Sequence, residues 1–281
     1  MTIPELKGKF STLEKIKKGG QKIVYKAITP SGEPVVLKII GNVNDQRVLQ
    51  EIQIVKDIKI PVIPRILDSG IATDETIGED VLFIIEEYVD GLSLRDWLCE
   101  GNRFDISQAF RVLYALLEIE TELEKVGILH RDINPNNIIL DKKGCIHLID
   151  FGLAKNLLGT SLTQTAAAHG PFTPGYAPHE QFANMKMEQD ARTDLFQIGV
   201  TIYECCCGKN PFVEPNETVY QIMSRTMTMV PSVLMLEGDT KGMFSQFINM
   251  LMAKNQSQRP DSAFDAMRYL SAIKSSLVLE D

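Results

Sequence analysis

The chain has 281 residues, enough for one large domain or two modest ones with a sizeable core. Its 44% hydrophobic and 23% charged content is ordinary for a globular protein, and 29 basic against 37 acidic side chains leave a formal charge of −8, which argues against nucleic acid as the main partner. No run approaches the roughly 18 apolar residues that a membrane span needs, residues 1–7 are mixed and polar rather than a secretory leader, and the five cysteines show neither metal spacing nor a disulfide framework, so a reducing cytoplasm is expected.

Apolar positions in residues 10–28 flank a polar tip, Lys17-Lys18-Gly19-Gly20-Gln21-Lys22, after which Val24 to Ala27 alternate as a strand does. The tip reads either as an ordinary hairpin turn or as a loop whose backbone approaches a phosphate. Residues 34–40 form an apolar strand interrupted by Lys38, an ammonium that needs a reason to sit there. The spacing of Val48, Leu49, Ile52, Val55 and Ile58 predicts a helix over 46–58, with Glu51 beside its apolar stripe. Residues 66–70 and 81–85 read as strands joined by an acidic, exposed connection over 72–80.

Ser93 opens a short helix with Asp96 in the capping-box position, and residues 106–126 form a long amphipathic one. Residues 138–140 and 146–149 are short apolar strands around the turn Asp141-Lys142-Lys143-Gly144. Asp132 and Asn137 precede this hairpin and Asp150 follows it, so the fold-back brings three oxygen-bearing side chains to one end. Two carboxylates and an amide carbonyl suit a hard cation such as Mg2+, which is usually bound together with phosphates. Residues 150–180 lack periodicity, and a functional loop is one accepted reason for such length. An apolar helix from Thr193-Asp194 ends at Cys205-Cys206-Cys207, read as free, buried or half-buried thiols, and three further helices are expected over 217–229, 241–253 and 263–275.

His130-Arg131-Asp132, then Asn137, then Asp150-Phe151-Gly152 resemble the catalytic loop and metal-binding motif of the protein-kinase family, and the resemblance covers about residues 10–272. It implies an α+β, bilobal protein-kinase-like fold: a small β-rich N-lobe with one key helix over 1–86, a hinge over 87–90 and a larger, mostly α C-lobe over 91–281. The sequence style resembles bacterial eukaryotic-like (Hanks-type) Ser/Thr kinases. Gly19, Gly20 and Val24 would then cover ATP, although Lys17 and Lys22 stand where the family's first and last loop glycines fall. Lys38 would hold the α/β-phosphates and pair with Glu51, and the backbone at Glu87 and Val89 would pair with adenine. Glu86 would guard the back of the adenine pocket, where a carboxylate needs a partner. Thr173 to Glu180 resembles the substrate loop, with Glu180 expected to pair with Arg259, and Asp194 would cap the catalytic-loop backbone. Ser161, Thr163 and Thr165 are candidate phosphosites.

The implied activity is transfer of the ATP γ-phosphoryl group to Ser or Thr hydroxyls of protein substrates, the chain itself included. Asp132 would orient the hydroxyl and accept its proton, while Asn137 and Asp150 would hold Mg2+. Asn134 stands where family Ser/Thr kinases carry a lysine. Together with the altered glycine loop and Glu86 it motivates an alternative, a nucleotide-binding pseudokinase acting as an interaction scaffold.

Overall fold

The structure, a computed structural model, describes residues 3–18, 22–41, 52, 56, 60–150 and 172–280. They fall into two compact units, residues 3–90 and residues 91–150 with 172–280. Gly19, Gly20, Glu51, Phe151, Gly152 and the candidate phosphosites Ser161, Thr163 and Thr165 lie outside the described residues.

The first unit is an antiparallel sheet of β1 (Thr12–Lys18), β2 (Lys22–Ile28), β3 (Pro34–Gly41), β4 (Ile66–Asp74) and β5 (Glu79–Glu87), in the order β1-β2-β3-β5-β4. β3 lies at its centre with both faces covered, which is why its sequence is a nearly unbroken apolar run. The two-residue period of a strand sorts the core onto two faces. Val35, Leu37 and Ile39 join Ala27, Phe83 and Ile85 on one, and Ile40, Leu82 and Ile84 pack with Ile52 on the other. Of the helix expected over 46–58, Ile52 and Lys56 are described and both are helical. The connection expected over 72–80 is exposed apart from Ala72 and Asp74, and both of its ends are strand. The Thr73 hydroxyl donates to Asp80 Oδ1 at 2.8 Å, and buried Asp74 accepts the Thr76 amide at 3.0 Å. Acidic side chains that look like loop residues thus hold the hairpin together.

The second unit begins with a small sheet, β6 (Gly91–Ser93), β7 (Ile138–Asp141) and β8 (Ile146–Leu148), in that order. Around it are α1 (Leu94–Cys99), α2 (Ile106–Lys125), α3 (His179–Phe182), α4 (Ala191–Cys207), α5 (Val219–Thr228), α6 (Met243–Leu251) and α7 (Ala263–Ile273). Caps set the starts: the Ser93 hydroxyl accepts the Asp96 amide at 3.0 Å, and Asp105 and Gln108 form a reciprocal capping box on α2. α4 starts two residues before Thr193 because the Asp190 carboxylate accepts the Arg192 amide at 2.9 Å.

α4 is the spine of this unit. Leu195, Phe196, Ile198, Val200 and Ile202 are all buried, the pattern of a helix with no solvent face. Gly199 permits the closest approach to α6, since a Cβ added there would stand 2.8 Å from that of Leu251. The helix ends at Gly208, whose φ of 81° is the left-handed stop that glycine adopts without strain. Cys205, Cys206 and Cys207 are free and run from buried to exposed, and burial pushes all three thiols above their usual range.

One buried group on α2 breaks the apolar rule. Glu120 is wholly buried, and neither carboxylate oxygen has a hydrogen-bond partner among the described residues. Burial, and then the charges of Asp194 and Glu124, push its carboxyl well above the usual range, which favours the protonated form. A carboxyl whose folded pKa is raised contributes stability that is fully present below the ordinary carboxylate range and is lost as pH climbs through the folded value. Wild-type melting temperature should therefore fall as pH rises above the ordinary carboxylate range. Glu120→Gln should melt a few degrees higher at the upper end of that rise and show a shallower fall, measured by calorimetry across it. Equal slopes would contradict this account.

Candidate active site

The predicted hairpin forms with Ile138 opposite Leu148, Ile139 opposite His147 and Leu140 opposite Ile146. Asp141 Oδ1 holds its turn by accepting the amides of Lys143 at 2.8 Å and Cys145 at 2.9 Å. At the other end the Ile149 amide donates to Asn137 O at 2.9 Å, which brings Asp150 and Asn137 to the same end.

The loop before the hairpin is held from beneath by α4. Asp194 is fully buried, and its two carboxylate oxygens accept the amides of His130 and Arg131, each at 2.7 Å. Burial pushes its carboxyl up to about 6, while the two amides pull the other way and favour the charged form. One helical turn on, Gln197 Oε1 accepts the Ile133 amide at 2.6 Å. Gln197 Nε2 and Gln181 Nε2 both donate to Arg131 O, at 3.2 and 2.7 Å. Arg131 and Asp150 each have a φ of 62°, a left-handed conformation that costs a non-glycine residue about 1–3 kcal/mol. The hydrogen bonds from Asp194, Gln181 and Gln197 offset that cost at Arg131. The buried His130 ring spans the two halves of the motif, with Nε2 at 3.1 Å from Ile149 O and Nδ1 receiving the Asp132 amide at 3.3 Å.

Three side chains converge on the Asp132 carboxylate. Thr173 Oγ1 donates to Oδ1 at 2.6 Å, Asn134 Nδ2 to Oδ1 at 3.1 Å, and Asn137 Nδ2 to Oδ2 at 2.9 Å. Asn134 and Asn137 also donate to the Asp132 backbone carbonyl, at 2.9 and 2.8 Å. Asn134 is only 2% exposed, and its Oδ1 accepts the Asn136 amide at 3.0 Å, opening the single helical turn Pro135–Asn137. It is therefore fully engaged in setting Asp132. Both neighbours of Asn137 Nδ2 are acceptors, which fixes that amide and turns Oδ1 away from Asp132. Asn137 and Asp150, at the same end of the hairpin, carry hard oxygen atoms, the donor chemistry that suits Mg2+, which keeps several waters and shares phosphate oxygens rather than filling a protein cage.

The segment from Thr173 is locked into the same unit. Arg259 Nη1 donates to Glu180 Oε1 at 2.6 Å, a buried pair spanning 79 residues, and Arg259 also donates to the carbonyls of Arg192 at 2.9 Å and Ala253 at 2.8 Å. Tyr176 is buried with its hydroxyl bonded to Glu204, and Arg95 bridges both, at 2.8 Å to Glu204 and 2.6 Å to Tyr176. The expected partners of Glu180 and Asp194 are thus present. Gln181, Gln197 and the hydroxyl role of Thr173 did not emerge from sequence reasoning. Gln197 lies three residues after Asp194 on one helix face, and that spacing is the signal that marks it.

In the first unit Val24, Lys38 and Ile84 lie directly across β2, β3 and β5 from one another. Lys38 is 5% exposed and pairs with the carboxylate of Glu86. Glu87 is clamped from its side chain, its Oε1 accepting from Arg65 Nε at 2.7 Å and its Oε2 from the Arg65 amide at 3.0 Å. Val89 follows β5 as irregular chain.

Comparison with known proteins agrees with these features. Residues 10–270 match the family model described as protein kinase domain. The chain is 29% identical to the probable serine/threonine-protein kinase pknA2 of Bifidobacterium longum, over 98% of this chain and 36% of that protein. It is 32% identical to a probable serine/threonine-protein kinase of Streptomyces coelicolor, over 81% of this chain and 34% of that one. It thus spans about a third of the length of these curated relatives. A solved structure described as PpkA-294 apo form superposes with a TM-score of 0.69 over 92% of this chain and 94% of that chain; at 20% identity it speaks to the fold. A five-stranded sheet unit, a helical unit built on α4 and a family match over nearly the whole length make this chain a member of the protein kinase domain family.

Proposed function

We propose that the chain is the catalytic domain of an ATP-dependent protein serine/threonine kinase, with an N-lobe over 1–86, a hinge over 87–90 and a C-lobe over 91–281. The observation that carries this reading is the Asp132 carboxylate, gripped by Thr173, Asn134 and Asn137 on a loop anchored to Asp194. The relatives' names support Ser and Thr as the acceptors. A cytoplasmic setting belongs to the same reading and accords with the five free cysteines.

Asp132 orients the substrate hydroxyl and accepts its proton as the phosphoryl group moves. Its oxygens are already fixed, so little reorganisation is needed at that moment. Thr173, at the start of the substrate segment, couples the placing of a protein substrate to the placing of the base. Lys38 steadies the α/β-phosphates of ATP, with Glu51 as its second acid, while Gly19, Gly20 and Val24 cover the nucleotide and Glu87 and Val89 hold adenine through their backbone. Asn137 and Asp150 would hold Mg2+, which neutralises charge on the phosphates when bound. Protein substrates, and the chain itself, are the acceptors in this reading. Asn134, one of the three features that motivate the scaffold alternative, hydrogen-bonds within the catalytic loop, which supports an active reading.

Labelled ATP with Mg2+ and a generic protein substrate should yield labelled Ser or Thr. Asp132→Ala should lower the rate on the order of a hundredfold or more, and Asp150→Ala should abolish it. Wild-type protein that binds ATP and labels neither itself nor the substrate would overturn the reading. Asn134→Ala, which loses both the donor to Asp132 and the acceptor for Asn136, should lower kcat about tenfold. Asn134→Lys keeps a donor near Asp132 and should retain activity, which steady-state kinetics would decide.

A further inference from the structure

The two consecutive glutamates at the end of β5 have opposite fates. The pleat of the strand sends successive side chains to opposite faces. Glu87 is half-exposed and bonds Arg65 on one side. Glu86 lies on the other, 8% exposed, and its Oε1 pairs with Lys38 Nζ. The register explains the contact. Lys38 faces Ile84 directly and Val36 faces Glu86, so Lys38 and Glu86 are diagonal neighbours on one face of adjacent antiparallel strands. Long side chains reach across that diagonal.

The surroundings make the pair an odd choice for stability alone. The same face continues as Ile40, Leu82 and Ile84, packed with Ile52. Withdrawing two charges from water costs more than an apolar pair of similar size would, so an ion pair in such a place stabilises the fold weakly at best. Its effect is on geometry. A carboxylate on a strand that is hydrogen-bonded along its whole length is a rigid anchor, whereas one on a helix moves with the helix. An ammonium has three donors, more than one carboxylate oxygen takes up, so contact with Glu86 is compatible with a phosphate oxygen or a second carboxylate at the same nitrogen.

We propose that Glu86 is a positioning residue for Lys38: its carboxylate holds the Lys38 ammonium from within the sheet, so that the phosphate-binding charge is oriented by β5 itself. The proposal rests on the reading of Lys38 as a phosphate ligand. It assigns Glu86 an effect on nucleotide affinity, carried through Lys38, and no part in the transfer step.

Two measurements test it. In Glu86→Gln, which keeps the shape and removes the charge, KM and Kd for ATP should rise about tenfold while kcat changes much less, and Glu86→Asp should recover part of the loss. A merely structural fault would lower the active fraction, and so the apparent kcat, without moving KM. Values of KM and Kd for Glu86→Gln within about threefold of wild type, or below it, would overturn the proposal. The second measurement needs no ATP and no activity. Melting temperatures of wild type, Glu86→Met, Lys38→Met and the double variant form a cycle, in which Glu86→Met should cost much less when Lys38 is already Met. Strictly additive costs would show that the pair does not form in solution. Failure of the kinase reading would show separately, as wild-type protein that binds ATP and transfers nothing.

Discussion

The Asp194 carboxylate is the constraint on which the second unit is organised. It is a charge in a place with no water, and two backbone amides, of His130 and Arg131, satisfy it. Hydrogen bonds to a charged acceptor in such surroundings are strong, and leaving the acceptor unmet would cost more than any neutral group there. The loop is therefore tied to α4, the most buried helix of the unit, and Arg131 keeps a left-handed backbone that would otherwise relax. Gln197, one turn along α4, repeats the arrangement with a neutral side chain.

The same solution recurs at several other charges among the described residues. Glu180 meets Arg259 across 79 residues, and Lys38 meets Glu86 across neighbouring strands. Asp132 is gripped by a hydroxyl and two amides. Each pairing turns a desolvation cost into a fixed geometry. Glu120 differs: burial and the neighbouring Asp194 charge push its carboxyl well above the usual range.

Much of this was legible in one dimension. The hairpin of residues 138–148 follows from two apolar runs and a turn that ends in glycine. Its position implies that Asp132, Asn137 and Asp150 approach one another. The Glu180–Arg259 pair and the Asp194 cap were readable by resemblance, because their local contexts are distinctive even though their partners are remote. Gln181 was not legible and Gln197 carried only its spacing from Asp194, since a glutamine in a helix does not itself name the backbone group it will meet. Within the exposed acidic connection over 72–80 it is Asp74 that departs from expectation: it is buried and accepts the Thr76 amide.

By itself the sequence determined the order of elements, the two faces of each strand and the presence of the chemical groups, because these depend on spacing and residue type within a few positions. Only the tertiary structure decided which partner each buried polar group takes. Asn134 proved to be a ligand of Asp132 rather than a gap where a lysine should be, and Lys38 proved to be held by a strand glutamate. Both outcomes have one physical cause. A polar group removed from water must be satisfied by whatever the fold brings within about 3 Å, and that neighbour is set by register and packing between segments distant in sequence.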